Sequence, residues 1–214
     1  MSLSPAQFAD LLRQVAADVH AHSDHLSRLD GEIGDGDHGV TMDMGWSAAI
    51  EAVDALGDDA GYTDICNTAA KAFLNAVGAS AGPLYATALM RGGQALKEVE
   101  TLDRDAMVAF LEAACEGIRS RGKAEPGDKT MLDAWLPAVE AVRTAQRDGR
   151  DLPECLEAAA EGAEAGAEAT TAMVARKGRA SRLGERSKGH VDPGAASAAL
   201  FFRSFAAKAR DLSA

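Results

Sequence analysis

Residues that build β-sheets are scarce in this chain. Its 214 residues include 4 Ile, 11 Val and 10 aromatics, against 46 Ala and 19 Leu. Strands favour β-branched and aromatic side chains, whereas Ala and Leu favour helix. The composition therefore excludes an all-β sandwich or a Val/Ile-rich parallel sheet and predicts an all-α fold. Cysteine is equally sparse. Cys66, Cys115 and Cys155 lie far apart, form no CxxC pair and are odd in number, which argues against a disulfide framework and a structural zinc site. They read as reduced packing residues of a cytoplasmic protein. No apolar run approaches the roughly 18 residues of a membrane span, and the opening Met1-Ser-Leu-Ser-Pro-Ala lacks the basic and apolar regions of a signal peptide. Positive charge is short too: 22 Lys and Arg face 33 Asp and Glu, a net charge of -11. Non-specific nucleic-acid binders carry the opposite bias. An anionic ligand would have to be held by a local feature, not by the global field.

What is present is helical periodicity. Ser4-Pro5 reads as an N-cap followed by proline at the first helical position. Phe8, Leu11, Leu12, Val15 and Val19 then recur at helical spacing, which predicts a first helix over 5–29. Further helices are expected over 40–56 and 63–77, then from Pro83 to Val99, and from an Asp103 cap to Gly122. A sixth follows Asp128 as cap and is kinked at Pro137. A seventh starts at Asp151-Leu-Pro153 and reaches Ala175, and an eighth starts at Pro193. Eight helices with mostly short links imply antiparallel neighbours in one domain over 1–214, with no strand, repeat or linker.

One connection breaks this pattern. Residues 176–193 form 18 aperiodic residues that hold six of the 22 basic side chains: Arg176, Lys177, Arg179, Arg182, Arg186 and Lys188. Loops of this length in a compact domain are functional or disordered, and a solvated surface loop is the plain alternative.

The strongest chemical signal is Asp30-x4-Asp35-x-Asp37-His38-Gly39. Glycines at 31, 34, 36 and 39 permit tight curvature, so three carboxylates can converge between two helices. Converging carboxylates repel unless a cation joins them, and hard oxygen donors select Mg²⁺ or Ca²⁺. An EF-hand beginning at Asp35 would need Glu where Trp46 stands. A flexible loop with few carboxylates suits Mg²⁺ completed by water and phosphate oxygens; a solvated acidic turn is the bland reading. Gly78-Ala79-Ser80-Ala81-Gly82-Pro83 opens a helix and offers N–H groups for a phosphate, or equally a helix corner. It is neither a Walker A nor a Rossmann motif.

Taken together, LDGEIGDGDHGVTM, GASAGPLYAT, SRGKAEPGDKTMLDAW and GRASRLGERSKGHVDPGAAS resemble the DhaL-type nucleotide-binding (L) subunits of bacterial dihydroxyacetone kinases, in order and spacing, over about residues 5–210. The resemblance implies an all-α barrel of eight antiparallel helices with the nucleotide at one end. It implies Asp30, Asp35 and Asp37 as ligands of two Mg²⁺, and His38, Gly39, Val40 and Thr41 at the phosphates. Ser80 and Ala81 match the glycine-rich turn at the nucleotide. Gly122 and Met131 match positions around the adenine, and Arg179, Asp192, Pro193 and Gly194 match further nucleotide contacts. Two positions depart from the family: its turn commonly reads Ala-Ser-Gly-Pro where this chain has Ser80-Ala81-Gly82-Pro83, and it often has Asn where Thr41 stands. The implied function is an ADP/ATP-binding phosphoryl donor to dihydroxyacetone held on a separate K subunit, without which the chain is inactive. A phosphoenolpyruvate-dependent M subunit is a further implied partner, and a homodimer is expected. A related tetrulose kinase subunit and an ADP-state sensor docking on a regulator are the alternatives.

Overall fold

In the computed structural model, residues 1–57, 59–78 and 81–213 are described. They contain eight α-helices: α1 (Pro5–Ile33), α2 (His38–Asp54), α3 (Tyr62–Ala76), α4 (Ala81–Ala95), α5 (Arg104–Gly122), α6 (Leu132–Arg147), α7 (Leu152–Ala169) and α8 (Pro193–Asp211). Two short 3-10 segments, Thr170–Ala172 and Arg179–Ser187, lie between α7 and α8. Among the described residues the one strand-like pairing is an isolated antiparallel bridge between Leu3 and Leu102. Each helix packs on the next, and α8 returns to α1, so the helices close into a ring. Among the described residues no helix is long and apolar enough to cross a membrane.

The helix ends follow local chemistry. Ser4 and Gln7 form a capping box ahead of Pro5, Asp103 caps α5 through the Ala106 N–H, and Asp151 with Glu154 forms a second capping box at α7. Each such cap stabilises its helix by about 1 kcal/mol. Several ends differ from the sequence expectation. α1 runs on through Asp30 to Ile33, because Asp30 finds partners at the start of α2 and stays helical. α6 begins at Leu132, not at Asp128: the Asp133 carboxylate takes the Thr130 N–H at 2.9 Å and the Gly127 N–H at 2.6 Å. Asp128 instead closes the preceding turn by accepting the Glu125 N–H. α7 stops at Ala169 and tightens into a 3-10 turn instead of reaching Ala175.

The abundance of Ala sets how closely the helices approach. α7 buries Ala159, Ala160, Ala163 and Ala167. A Cβ on Gly166 would stand 2.2 Å from the Asp133 carbonyl oxygen of α6, and one on Gly162 would stand 2.7 Å from that of Pro137. Small residues thus let the two backbones touch. The barrel interior is filled by the few aromatics. All ten are buried and linked edge-to-face or stacked: Phe8 meets Tyr62 and Phe110, Phe110 meets Phe205, and Phe205 meets Phe201. Phe201 also touches Phe202, Trp135 and Trp46, and Trp46 reaches Phe73 and Tyr85. The three cysteines are free and buried.

Candidate nucleotide and metal site

Alternation of direction around the ring brings the N-terminal ends of α2, α4, α6 and α8 to the same rim as the C-terminal ends of α1 and α5. Between them lies a cavity of about 600 Å³, roofed in part by Lys177–Ala180. Four helix N-termini at one opening give a field that favours an anion.

The α1–α2 corner shapes the acidic side of this cavity. The Asp30 carboxylate, on the last turn of α1, accepts the N–H groups of Asp37 at 3.0 Å and His38 at 3.3 Å. It thereby caps α2 from the neighbouring helix, which explains why Asp37 makes no side-chain cap bond of its own. A Cβ on Gly34 would stand 2.0 Å from Asp30 Oδ1, so only glycine leaves the carboxylate in place. Gly36 turns the chain with φ of +77°, a conformation that side chains disfavour. One oxygen each from Asp30, Asp35 and Asp37 lies within 4.8 Å of the others. The Arg179 guanidinium pairs with Asp35 and lies 3.6 Å from Asp37. Three convergent carboxylate oxygens are a hard donor set that fits Mg²⁺.

His38 faces the cavity and meets Ser197 Oγ on α8 through Nε2 at 2.9 Å. Burial lowers its pKa, opposed by the Asp30 charge and by a hydrogen bond to the Pro193 backbone. Thr41, Ala81, Gly122 and Met131 line the cavity, as do Arg179, Asp192, Pro193 and Gly194. Gly39 and Val40 do not. A Cβ on Gly39 would stand 1.8 Å from the Ser23 carbonyl oxygen, so this glycine lets α2 rest on α1; the Val40 side chain is 56% exposed. Ser80 lies outside the described residues.

The opposite wall holds residues that spacing did not flag. Lys129 is 1% exposed and takes φ of +61°. Its ammonium donates to the carbonyls of Thr170 at 2.6 Å and His190 at 2.5 Å, the two ends of the long basic connection. Burial lowers its pKa, opposed by Asp192. Asp192 caps α8 through the Ala195 N–H at 2.8 Å, and burial pushes its carboxyl up to about 7. Tyr85 lines the cavity beside them, its phenol pushed up to about 12 by burial. Lys129 and Tyr85 lie within the runs SRGKAEPGDKTMLDAW and GASAGPLYAT, but nothing in those runs assigns them a role; the fold does.

A DAK2-domain family model matches residues 32–207. The chain belongs to the DAK2 family. It is 41% identical over 212 residues to the "PEP-dependent dihydroxyacetone kinase, ADP-binding subunit DhaL" of Escherichia coli, across 99% of this chain and 100% of that protein. It is 38% identical over 195 residues to the L-erythrulose 1-kinase of Mycolicibacterium smegmatis, covering 91% of this chain but 33% of that one. The dihydroxyacetone kinase of C. freundii superposes with a TM-score of 0.69 at 24% identity, over 94% of this chain and 34% of that one. The likeness to this larger kinase is one of fold.

Proposed function

We propose that this DAK2 chain is the ADP/ATP-binding, phosphoryl-donor subunit of a dihydroxyacetone kinase, acting on dihydroxyacetone held by a separate K subunit. The observation that carries this reading is the convergence of Asp30, Asp35 and Asp37 at a cavity faced by four helix N-termini. Full-length similarity to an ADP-binding subunit supports it. Asp30, Asp35 and Asp37 would hold two Mg²⁺. Bound there, the metal neutralises phosphate charge and polarises the phosphoryl group.

The protein's own part is positioning and charge. Asp30 is oriented in advance by two N–H groups of α2. His38 and Thr41 face the phosphates from α2 and Ala81 from the start of α4, and Ser80 is a further nucleotide-binding residue of this reading. Gly39 and Val40 act through backbone, since N–H groups in the first turn of a helix have no intrahelical acceptor. Gly122 and Met131 flank the adenine, and Asp192, Pro193 and Gly194 complete the nucleotide wall. Arg179 is a positive charge already at the acidic cluster. A basic connection in a chain of net charge -11 supplies the local cations that a polyphosphate requires.

The similarity to an L-erythrulose 1-kinase favours a tetrulose as a second acceptor class. A phosphoenolpyruvate-dependent M subunit and a homodimer are expected partners in this scheme. The test mixes the chain with a K subunit, dihydroxyacetone and either Mg-ATP or a phosphoenolpyruvate-driven phosphotransfer system, and assays phosphorylated product. Product that requires both chains is expected. No product with any cognate K subunit would overturn the proposal, and native mass spectrometry showing retained ADP would point to the phosphoenolpyruvate route.

A further inference from the structure

Arg179 stands on the oxygens that a metal ion would need. Its guanidinium pairs with the Asp35 carboxylate and lies 3.6 Å from that of Asp37. Asp30, the third member of the cluster, is compensated differently, by the N–H groups of Asp37 and His38. The cluster is thus divided: backbone amides hold one carboxylate, and a single guanidinium holds the other two. An arginine keeps its charge at every working pH, so this counter-ion leaves only by moving. Mg²⁺ binds carboxylate oxygens at about 2.1 Å and repels a guanidinium seated on them. The two cations therefore compete for Asp35 and Asp37.

The backbone around Arg179 permits such a move. Gly178 before it has φ of +64° and Gly184 after it φ of +56°, the region that favours glycine. A Cβ at either position would meet nothing within 4 Å, so backbone conformation, and not packing, accounts for these glycines. Beyond them the connection is fastened. Lys129 holds the Thr170 and His190 carbonyls, the Ala175 N–H donates to Ser187 Oγ, and the Gly189 N–H donates to the Thr171 carbonyl. Between these anchors, among the described residues, the polar ties of residues 177–186 to the helices are the two pairs of Arg179.

We propose that Arg179 is the resident counter-ion of the acidic cluster, displaced from Asp35 and Asp37 when a divalent ion binds and thereby freed for the nucleotide phosphates. One side chain then opposes the metal on its own and assists the metal-nucleotide complex. This deepens the proposed nucleotide site and rests on it for the second half; the competition between Arg179 and a divalent ion is a property of the chain without nucleotide.

The test titrates Mn²⁺ alone, a hard-donor ion followed by its EPR signal, into nucleotide-free wild type, Arg179→Gln and Arg182→Gln. Arg179→Gln should bind Mn²⁺ about fivefold more tightly, the size of a half-exposed ion pair. Arg182→Gln removes a cation from the same connection but not from the carboxylates, and should stay near the wild type. Calorimetric Kd for Mg-ADP should move the other way in Arg179→Gln, rising about tenfold, the size of a lost charge-assisted hydrogen bond. Mn²⁺ binding that is unchanged or weaker in Arg179→Gln, or an equal gain in Arg182→Gln, would overturn the proposal, as would Mg-ADP affinity undiminished in Arg179→Gln. Absence of Mg-ADP binding in the wild type would instead defeat the proposed function, while the Mn²⁺ titrations would still decide whether Arg179 is the resident counter-ion.

Discussion

Asp30, Asp35 and Asp37 show how far spacing alone can place a side chain. Their clustering followed from a glycine-rich turn, and the three oxygens do meet within 4.8 Å. What spacing could not reveal is that Asp30 belongs to a helix and caps the next one. The cluster is therefore partly built before any cation arrives, and Asp35 and Asp37 are the adaptable members. Replacing Asp35 by Asn should weaken Mg-ADP binding by at least about 1.4 kcal/mol, one decade in Kd by calorimetry. Asp192 offers a prediction of opposite flavour. Burial holds its carboxyl near 7 in the folded chain, whereas an unfolded aspartate ionises near 4. Between those values the folded state retains a proton that the unfolded state has lost, so this group costs stability as pH rises from about 4 to 7. Asp192→Asn removes the cost and can keep the α8 cap. Urea denaturation at pH 5 and pH 8 should show the variant gaining on the wild type at the higher pH, by at most about 3 kcal/mol. No change in the difference between the two pH values would refute the raised value.

At the scale of elements, the periodic helices were legible because apolar spacing reports burial on a helical face, and Ser4, Asp103, Asp151 and Pro193 marked their starts. The errors sit at ends where a nearby carboxylate, and not the apolar pattern, decides. α1 gained a turn because Asp30 bonds to α2, and α6 lost one because Asp133 outcompetes Asp128 as cap. The basic connection was recognisable by composition, but its anchoring was not. Lys129 fastens both of its ends from 41 and 61 residues away, and no local pattern encodes such a bond. Lys129→Met should leave the Thr170 and His190 carbonyls without a donor and cost about 2 kcal/mol or more. Hydrogen exchange across residues 176–190 should accelerate most, and Mg-ADP should bind more weakly because Arg179 is no longer presented. Protection unchanged in that segment would show that Lys129 does not anchor it.

Across the whole molecule, two compositional extremes serve one design. Abundant Ala and Gly bring helix backbones close, as at Gly166 against Asp133, and the ten aromatics fill the space that the closed ring encloses. Phe201 is the junction of that interior, touching Trp46, Trp135, Phe202 and Phe205. Phe201→Ala should cost about 3–5 kcal/mol in chemical denaturation, as expected for an emptied aromatic site in a packed core. The acidic average of the chain likewise conceals a division of labour, with carboxylates gathered at one corner of the mouth and cations on the connection that roofs it. Helix count and ring order were within reach of the sequence. The common rim that gathers four helix N-termini was not, because it depends on the closure of α8 onto α1. The most direct test of the proposed site is a calorimetric titration of ADP into the purified, nucleotide-free chain with Mg²⁺ and again with EDTA. Binding that requires Mg²⁺ and is weakened in Asp35→Asn is the predicted result; equal binding in both solutions, or none in either, would contradict it.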